Sequence, residues 1–332
     1  MSLDKKLYPW ADFMTADMTV GTEPGYPTGA YLDLFEERTF ASIDDAVGDL
    51  RYYVYDPTKH GMPLDKTYPV IFGLHGAGNA LAGKLAVNYA GMEMFASPEY
   101  QQKLGGAYIV CPLANEHVGE NGYTAMTWMT IPAPGDLTDY SLRLKTLVEG
   151  YQQRNSFVAR ICGAESLYTT SLLALLKEAR ASFSCAGKTL LTGSSAGGYA
   201  SWRLLNAAPE LFDAAILMAP AYLPSEKQLD VLAERNIPIL LCHAHHDELI
   251  SFDLTIRPHL ERYAAMKNVQ LFLPELVFNR DGSVASNIAG EVQMGQHCIN
   301  NAIQNDLKFA DGTLMNPELP EGITGWIRAN VG

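Results

Sequence analysis

Leu190–Leu205 reads "LLTGSSAGGYASWRLL", an apolar run that halts at a cluster of small residues and resumes as something helical. Leu190, Leu191 and Thr192 have the character of a buried strand's last residues, while Tyr199, Trp202, Leu204 and Leu205 fall at roughly helical spacing. Between them stands Gly193-Ser194-Ser195-Ala196-Gly197, which fits the pattern G-x-S-x-G. A serine on a tight strand-to-helix turn is held in a strained backbone conformation with its hydroxyl pushed out. Only small neighbours two residues to either side avoid collision, hence Gly193 and Gly197. The helix that follows aims its first amides and its positive end at the same spot, so the N–H of Ala196 is expected to face a developing oxyanion. Ser194 is the poorer nucleophile, because centring the pattern on it puts Thr192 and Ala196 at the glycine positions.

The neighbouring segments set this turn in a larger pattern. Arg51–Tyr55, Tyr68–Leu74, Ala107–Leu113, Lys188–Thr192, Ala214–Met218, Ile237–Cys242 and Val269–Leu273 are short, apolar and bounded by Gly, Pro or Asp. Helical stretches such as Ser166–Ala181 and Ser225–Arg235 lie between them. Alternation of this kind predicts an α/β fold with a mostly parallel central sheet covered by helices on both faces. Residues 1–49 read as a partly irregular N-terminal extension, 50–308 as the catalytic domain and 309–332 as an irregular C-terminal appendage carrying Trp326. The strand-poor span 115–164 is the place for a substrate-facing insertion.

Composition narrows the function. The 332 residues are 48% hydrophobic and 18% charged, enough apolar material for a large core. A net charge of −13 without a lysine or arginine stripe argues against nucleic acid and anionic membranes as partners. No apolar run is long enough to span a bilayer, and the first thirty residues lack a basic start followed by an apolar block, so the expected location is the cytoplasm, with secretion after removal of a leader as the other reading. Cys111, Cys162, Cys185, Cys242 and Cys298 are scattered, form no C-x-x-C pair and read as reduced thiols.

In a parallel sheet the residues just past the carboxyl ends of the strands share one edge. A serine hydroxyl there is almost wholly protonated at neutral pH and needs a base. His297, in "MGQHCIN" after the last predicted strand, is the best placed. His60 and His117 lie in polar surroundings away from that edge, His259 reads as a structural helix-face residue, and His75 as the shaper of a turn. The base in turn needs a carboxylate to fix its tautomer and stabilise its charged form. Asp247 follows the strand "IPILLCH", 52 residues after Ser195 and 50 before His297. Glu248 and Asp253 are the weaker alternatives. His75-Gly76-Ala77-Gly78 ends another buried strand, and its small side chains let backbone amides approach a substrate. The amides of Ala77 and Ala196 are the expected oxyanion donors, with Gly76 against the substrate. Tyr123, Met126 and Trp128 are candidates to line the acyl or alcohol pocket, with ordinary packing under a loop as the other reading. "HAHHDE" also resembles the H-x-H-x-D run of metallo-hydrolases, but Glu248 stands where the next histidine would be, so no metal is expected.

Together these motifs resemble the α/β-hydrolases, and among them the single-domain esterases related to polyhydroxybutyrate depolymerases, feruloyl esterases and the catalytic domain of prolyl oligopeptidases. "LRYYVYDPTKHGMPLDKTYPVIFGLHGAG" is similar to that group's first strands and oxyanion loop, "LLTGSSAGGYAS" to its nucleophile elbow, and His243 to Ile250 to its H-x-x-x-D-x-x-[VI] acid loop. The chain departs from the group at Ala244, where glycine is common, and at Gln296, which stands between Gly295 and His297. Ser194 precedes the serine where tannases carry a bridging cysteine. The resemblance implies an α/β-hydrolase fold and a Ser195–His297–Asp247 esterase. It would cleave a small-molecule ester, acetyl or hydroxycinnamoyl, through an acyl-enzyme without a cofactor. A serine peptidase acting on short peptides and a non-catalytic binding protein on the same fold are the alternatives.

Overall fold

The computed structural model describes residues 29–44, 46–77, 79–115, 117–118, 124–125, 128, 168–286, 288–289, 292–293 and 295–332. Eight strands form one sheet: β1 (Glu36–Phe40), β2 (Leu50–Tyr55), β3 (Tyr68–Leu74), β4 (Tyr108–Pro112), β5 (Ala186–Ser194), β6 (Ala214–Met218), β7 (Ile239–Cys242) and β8 (Val269–Phe272). Their order across the sheet is β1-β2-β4-β3-β5-β6-β7-β8. β2 is antiparallel to both β1 and β4, and every pairing from β4 to β8 is parallel.

Period-two alternation gives each central strand two buried faces, as a parallel sheet requires. Val70, Phe72, Leu74, Leu191, Leu217 and Leu241 point into one core, and Ile71, Leu190, Ile216, Met218 and Leu240 into the other. Three helices close the first face: α2 (Thr169–Ala181), α3 (Ala196–Ala207) and α4 (Glu226–Arg235), through Leu172, Leu175, Trp202, Leu229 and Leu232 among others. Each fully buried leucine there contributes about 2 kcal/mol of hydrophobic stabilisation. α4 starts where its sequence signal says: Ser225 accepts from the Gln228 N–H, and the Gln228 side chain accepts from the Ser225 N–H, a reciprocal capping box. The second face is closed by α1 (Pro98–Leu104), α5 (Ile299–Gln304) and α6 (Gly322–Val331).

Two elements lay hidden in the sequence. β1 reads "EERTF" and is exposed along most of its length, so it carries no hydrophobic alternation. It is an edge strand, paired in register with β2 from Glu36↔Val54 to Phe40↔Leu50. The tail read as irregular ends in helix α6. Ile323, Ile327 and Val331 are buried on one face of it, with Trp326 nearly so. Its start is set by Asp306, whose carboxylate accepts from the Thr324 N–H (2.8 Å) and hydroxyl (3.0 Å).

Candidate active site

Ser195 follows the last residue of β5 and forms the N-cap of α3 with φ 57° and ψ −113°. For a residue with a Cβ, such a conformation costs about 1–3 kcal/mol and persists only where the surroundings impose it. Here the Ser195 N–H donates to the Met218 carbonyl (2.9 Å), and the Ser195 carbonyl accepts from the amides of Tyr199 (3.0 Å) and Ala221 (3.1 Å). The flanking glycines are steric necessities. A Cβ on Gly193 would stand 2.3 Å from the Gly197 carbonyl oxygen, and one on Gly197 would stand 2.0 Å from that of Leu74. α3 therefore begins in direct contact with the end of β3, leaving the Ala196 N–H among the first four amides, which have no intrahelical acceptor. Gly197→Ala is expected to lower unfolding free energy by about 3 kcal/mol, read from the urea midpoint. A midpoint unchanged from the parent would remove the close approach from the account.

The same contact brings the loop after β3 to the serine. A Cβ placed on Gly76 would lie 3.6 Å from Ser195 Cβ. His75 shapes this loop, as its position suggested. Its buried ring lies 2.6 Å from the Gly76 carbonyl at Nδ1 and 3.0 Å from the Ala114 N–H at Nε2. A carbonyl can only accept and an amide N–H only donate, so Nδ1 carries the proton and Nε2 accepts. Burial supports that neutral form by driving the ring's pKa down to about 4. Trp128 lies behind the loop: its indole N–H donates to the His75 carbonyl (2.8 Å), and its ring meets those of His75 and Tyr168. With 0% of its surface exposed, Trp128 braces the loop and presents no face to a pocket, which corrects the expectation that it lines one. Tyr123, Met126 and Gly78 lie outside the described residues.

Two strands along, the loop after β7 carries Asp247. Register aligns Ser194, Met218 and Cys242, the last residues of β5, β6 and β7, so the loops that follow rise from one edge about 10 Å apart. The side chain of Asp247 is fully buried. Its Oδ1 accepts from the amides of Leu249 and Ile250 (both 2.8 Å), and the His297 Nδ1–H lies 2.8 Å from Oδ2 and 3.0 Å from Oδ1. His243 faces the same carboxylate, with Nε2 3.9 Å from Oδ2, while its Nδ1 donates to the Ala244 carbonyl. Burial holds His243 below the ordinary histidine range. Burial also pushes Asp247 up and His297 down. The charge and hydrogen bond each gives the other outweigh this, so Asp247 ends below its ordinary value and His297 above.

His297 sits in a turn just before α5. An added Cβ at Gly91 would touch both Asn300 on α5 and Met218 at the end of β6, each at 3.6 Å, so that helix abuts the strand next to β5. Among the described residues the Ser195 hydroxyl makes no hydrogen bond to the His297 ring, whereas Asp247 and His297 are joined. Asp253 pairs with Arg257 on the surface, and the His259 ring bonds the Pro224 carbonyl. His245 stacks on Phe252 with ring centroids 4.0 Å apart and, like His246, faces Glu275. Among the described residues no group of three or more His, Cys, Asp or Glu is placed to hold a metal ion, and no helix is long and apolar enough to cross a membrane.

Two residues that sequence reasoning passed over hold the histidine's main chain. The Glu248 carboxylate accepts from the amides of Gln296 (3.1 Å) and His297 (3.0 Å). The buried Gln296 side chain accepts from the Val277 N–H (2.6 Å) and donates to the Ala285 carbonyl (2.8 Å). The only signal for them was adjacency, Glu248 to the acid and Gln296 to the base.

No protein-family profile and no curated protein matches this sequence. Solved structures do resemble its fold. A thermostable esterase superimposes with a TM-score of 0.50 at 22% identity, over 74% of this chain and 55% of its own. This chain thus spans little more than half the length of that esterase. A ferulic acid esterase gives a TM-score of 0.46 at 13% identity over 73% and 89% of the two chains. The enterochelin esterase of Shigella flexneri gives 0.41 at 14% over 76% and 57%. Strand order β1-β2-β4-β3-β5-β6-β7-β8, the antiparallel second strand and the likeness to the thermostable esterase together show that this chain has the α/β-hydrolase fold.

Proposed function

We propose that this chain is a serine carboxylesterase acting on small-molecule esters, with Ser195 as nucleophile, His297 as general base and Asp247 as the orienting acid. The observation that carries the reading is the buried Asp247–His297 hydrogen bond on the sheet edge that also presents Ser195 at φ 57°. Asp247 accepts a hydrogen bond from Nδ1–H and so keeps the proton of neutral His297 on Nδ1, leaving Nε2 as a lone pair able to receive the Ser195 proton. Attack of Oγ on the ester carbon places negative charge on the carbonyl oxygen, which the Ala77 and Ala196 amides stabilise. Each such donor is worth about 100- to 1000-fold in rate. The tetrahedral intermediate collapses as His297 returns its proton to the departing alcohol. Water, deprotonated by the same imidazole, then releases the acyl group. Catalytic hydrogen bonds in unliganded sites are commonly long and tighten when substrate binds, and on this reading the Ser195–His297 hydrogen bond forms as the ester docks. A fluorophosphonate should label the folded protein at Ser195, and aryl esters should turn over in preference to dipeptide amides. Failure to label would leave a non-catalytic binding protein, and equal amide turnover a peptidase.

The pH dependence should run in opposite directions for rate and stability. His297 must be neutral to act, and its pKa lies above the ordinary value of about 6.5. kcat/KM for p-nitrophenyl acetate should therefore rise through one ionisation above that pH. Because the folded value is the raised one, the stability that His297 contributes is complete below about pH 6.5 and is lost as pH climbs through the folded pKa. Asp247 is depressed, so its contribution is complete above about pH 4 and is lost as pH falls through its lower folded value. The melting temperature should thus decline across the interval in which activity appears. A flat rate profile from acid to neutral pH, with chemistry limiting, would remove His297 from the role.

A further inference from the structure

We propose that Glu248 is a positioning residue for His297, its carboxylate gripping the histidine's main chain while Asp247 grips the ring. The inference deepens the esterase reading and rests on it for its kinetic consequence. Two consecutive residues of one loop hold one residue of another at both ends: Asp247 meets Nδ1 at 2.8 Å, and Glu248 meets the His297 and Gln296 amides at 3.0 and 3.1 Å with separate oxygens. A ring held only at Nδ1 is free to swing about that bond, and its Nε2 sweeps an arc. Fixing the peptide at the other end removes that freedom and sets where Nε2 points. Misplacement of a catalytic group by about 1 Å costs on the order of 100-fold in rate.

The remaining side of the turn is pinned to match. Gln296 bridges Val277 and Ala285, and an added Cβ on Gly295 would stand 2.3 Å from the Ala285 carbonyl oxygen. Gln296 is the residue by which this chain departs from the Gly-His arrangement of the esterases it resembles, and it serves as the second anchor of the same clamp. Glu248 has an electrostatic effect besides. Among the described residues, the titratable groups around the imidazole are Asp247 and Glu248 on the acid loop, buried neutral His243 at the strand end before them, and Cys298 on its own turn. Glu248 is thus the second of two carboxylates favouring the imidazolium.

The test is Glu248→Gln, which keeps the shape, loses the charge and replaces one acceptor with a donor. In the folded enzyme the plateau kcat for p-nitrophenyl acetate should fall by about 10- to 100-fold with KM within about twofold. The pKa of the His297 ring, read by NMR on histidine-labelled protein, should drop by about one unit. An unmoved ring pKa or an unmoved plateau overturns the proposal. The NMR titration needs no turnover and is repeated in Ser195→Ala protein, so the two readings separate. Full activity in Ser195→Ala would sink the esterase reading whatever Glu248 does. An inactive Ser195→Ala beside an unaltered Glu248→Gln would sink the clamp alone. Should Glu248→Gln fail to fold by circular dichroism, Glu248→Asp decides. It retains the charge but is a methylene short, so the plateau should fall about tenfold with the ring pKa unmoved, and an unchanged plateau overturns the proposal.

Discussion

Ser195→Ala is expected to lower kcat/KM for aryl esters by about four to six orders of magnitude without lowering the melting temperature. The loss is large because Ser195 supplies the attacking oxygen and its neighbour Ser194 cannot replace it. Ser194 is buried on β5 one residue earlier, and its alternation carries it to the other side of the strand. What persists is the stabilisation that backbone amides give to attack by water. The backbone supplies a second, independent readout. Alanine at position 195 keeps its Cβ at φ 57° and so keeps the strain, whereas Ser195→Gly releases it. Glycine costs about 0.5–1 kcal/mol of extra chain entropy against about 1–3 kcal/mol of relieved strain. Ser195→Gly should therefore be more stable than Ser195→Ala by about 1 kcal/mol in urea unfolding, and equally inactive. An inactive alanine variant with a glycine variant no more stable would mean that the turn is relaxed. A fully active alanine variant would end the esterase reading.

The parts of this arrangement that could be read beforehand are those that rest on short-range sterics or on period-two burial. Tyr68–Leu74 and Ala214–Met218 have the same ends in sequence and structure because both are buried on two faces and bounded by breakers or turns. Gly193 and Gly197 announced the turn because their missing side chains are its geometry. β1 stayed hidden since its stability comes from pairing with β2, and an exposed edge strand shows no apolar alternation. α6 was masked by the glycines and prolines before it, although Ile323, Trp326 and Ile327 already stand at i, i+3 and i+4. Trp128 misled because an aromatic in a strand-poor segment says nothing about which side of the loop it occupies. Its partner, the His75 carbonyl, is 53 residues away in sequence. Glu248 reads as a weaker alternative acid, yet standing one position past Asp247 is what lets it reach the main chain rather than the ring.

Asp247→Asn should cost about 10⁴-fold in kcat at neutral pH while leaving the fold intact, and the neighbouring hydrogen bonds say why. Oδ1 accepts from the amides of Leu249 and Ile250, so an asparagine must keep its oxygen there and place its NH₂ where Oδ2 stood. That is the atom 2.8 Å from His297 Nδ1 and 3.9 Å from His243 Nε2. The new donor stands too far from His243 for a hydrogen bond. It compels His297 Nδ1 to become an acceptor, which moves the ring's proton to Nε2. A base carrying its proton on the nitrogen facing Ser195 cannot take the hydroxyl's. Because the variant is nearly isosteric and keeps the hydrogen bonds from the Leu249 and Ile250 amides, its melting temperature should stay close to the parent's, and the damage should show in rate. Removing the carboxylate charge also lowers the His297 pKa, so the surviving activity should begin to rise at lower pH than in the parent. Both changes are read from one pH–rate series with p-nitrophenyl acetate. A loss smaller than tenfold would transfer the orienting role away from Asp247, and with it the premise that its hydrogen bond sets the tautomer of His297.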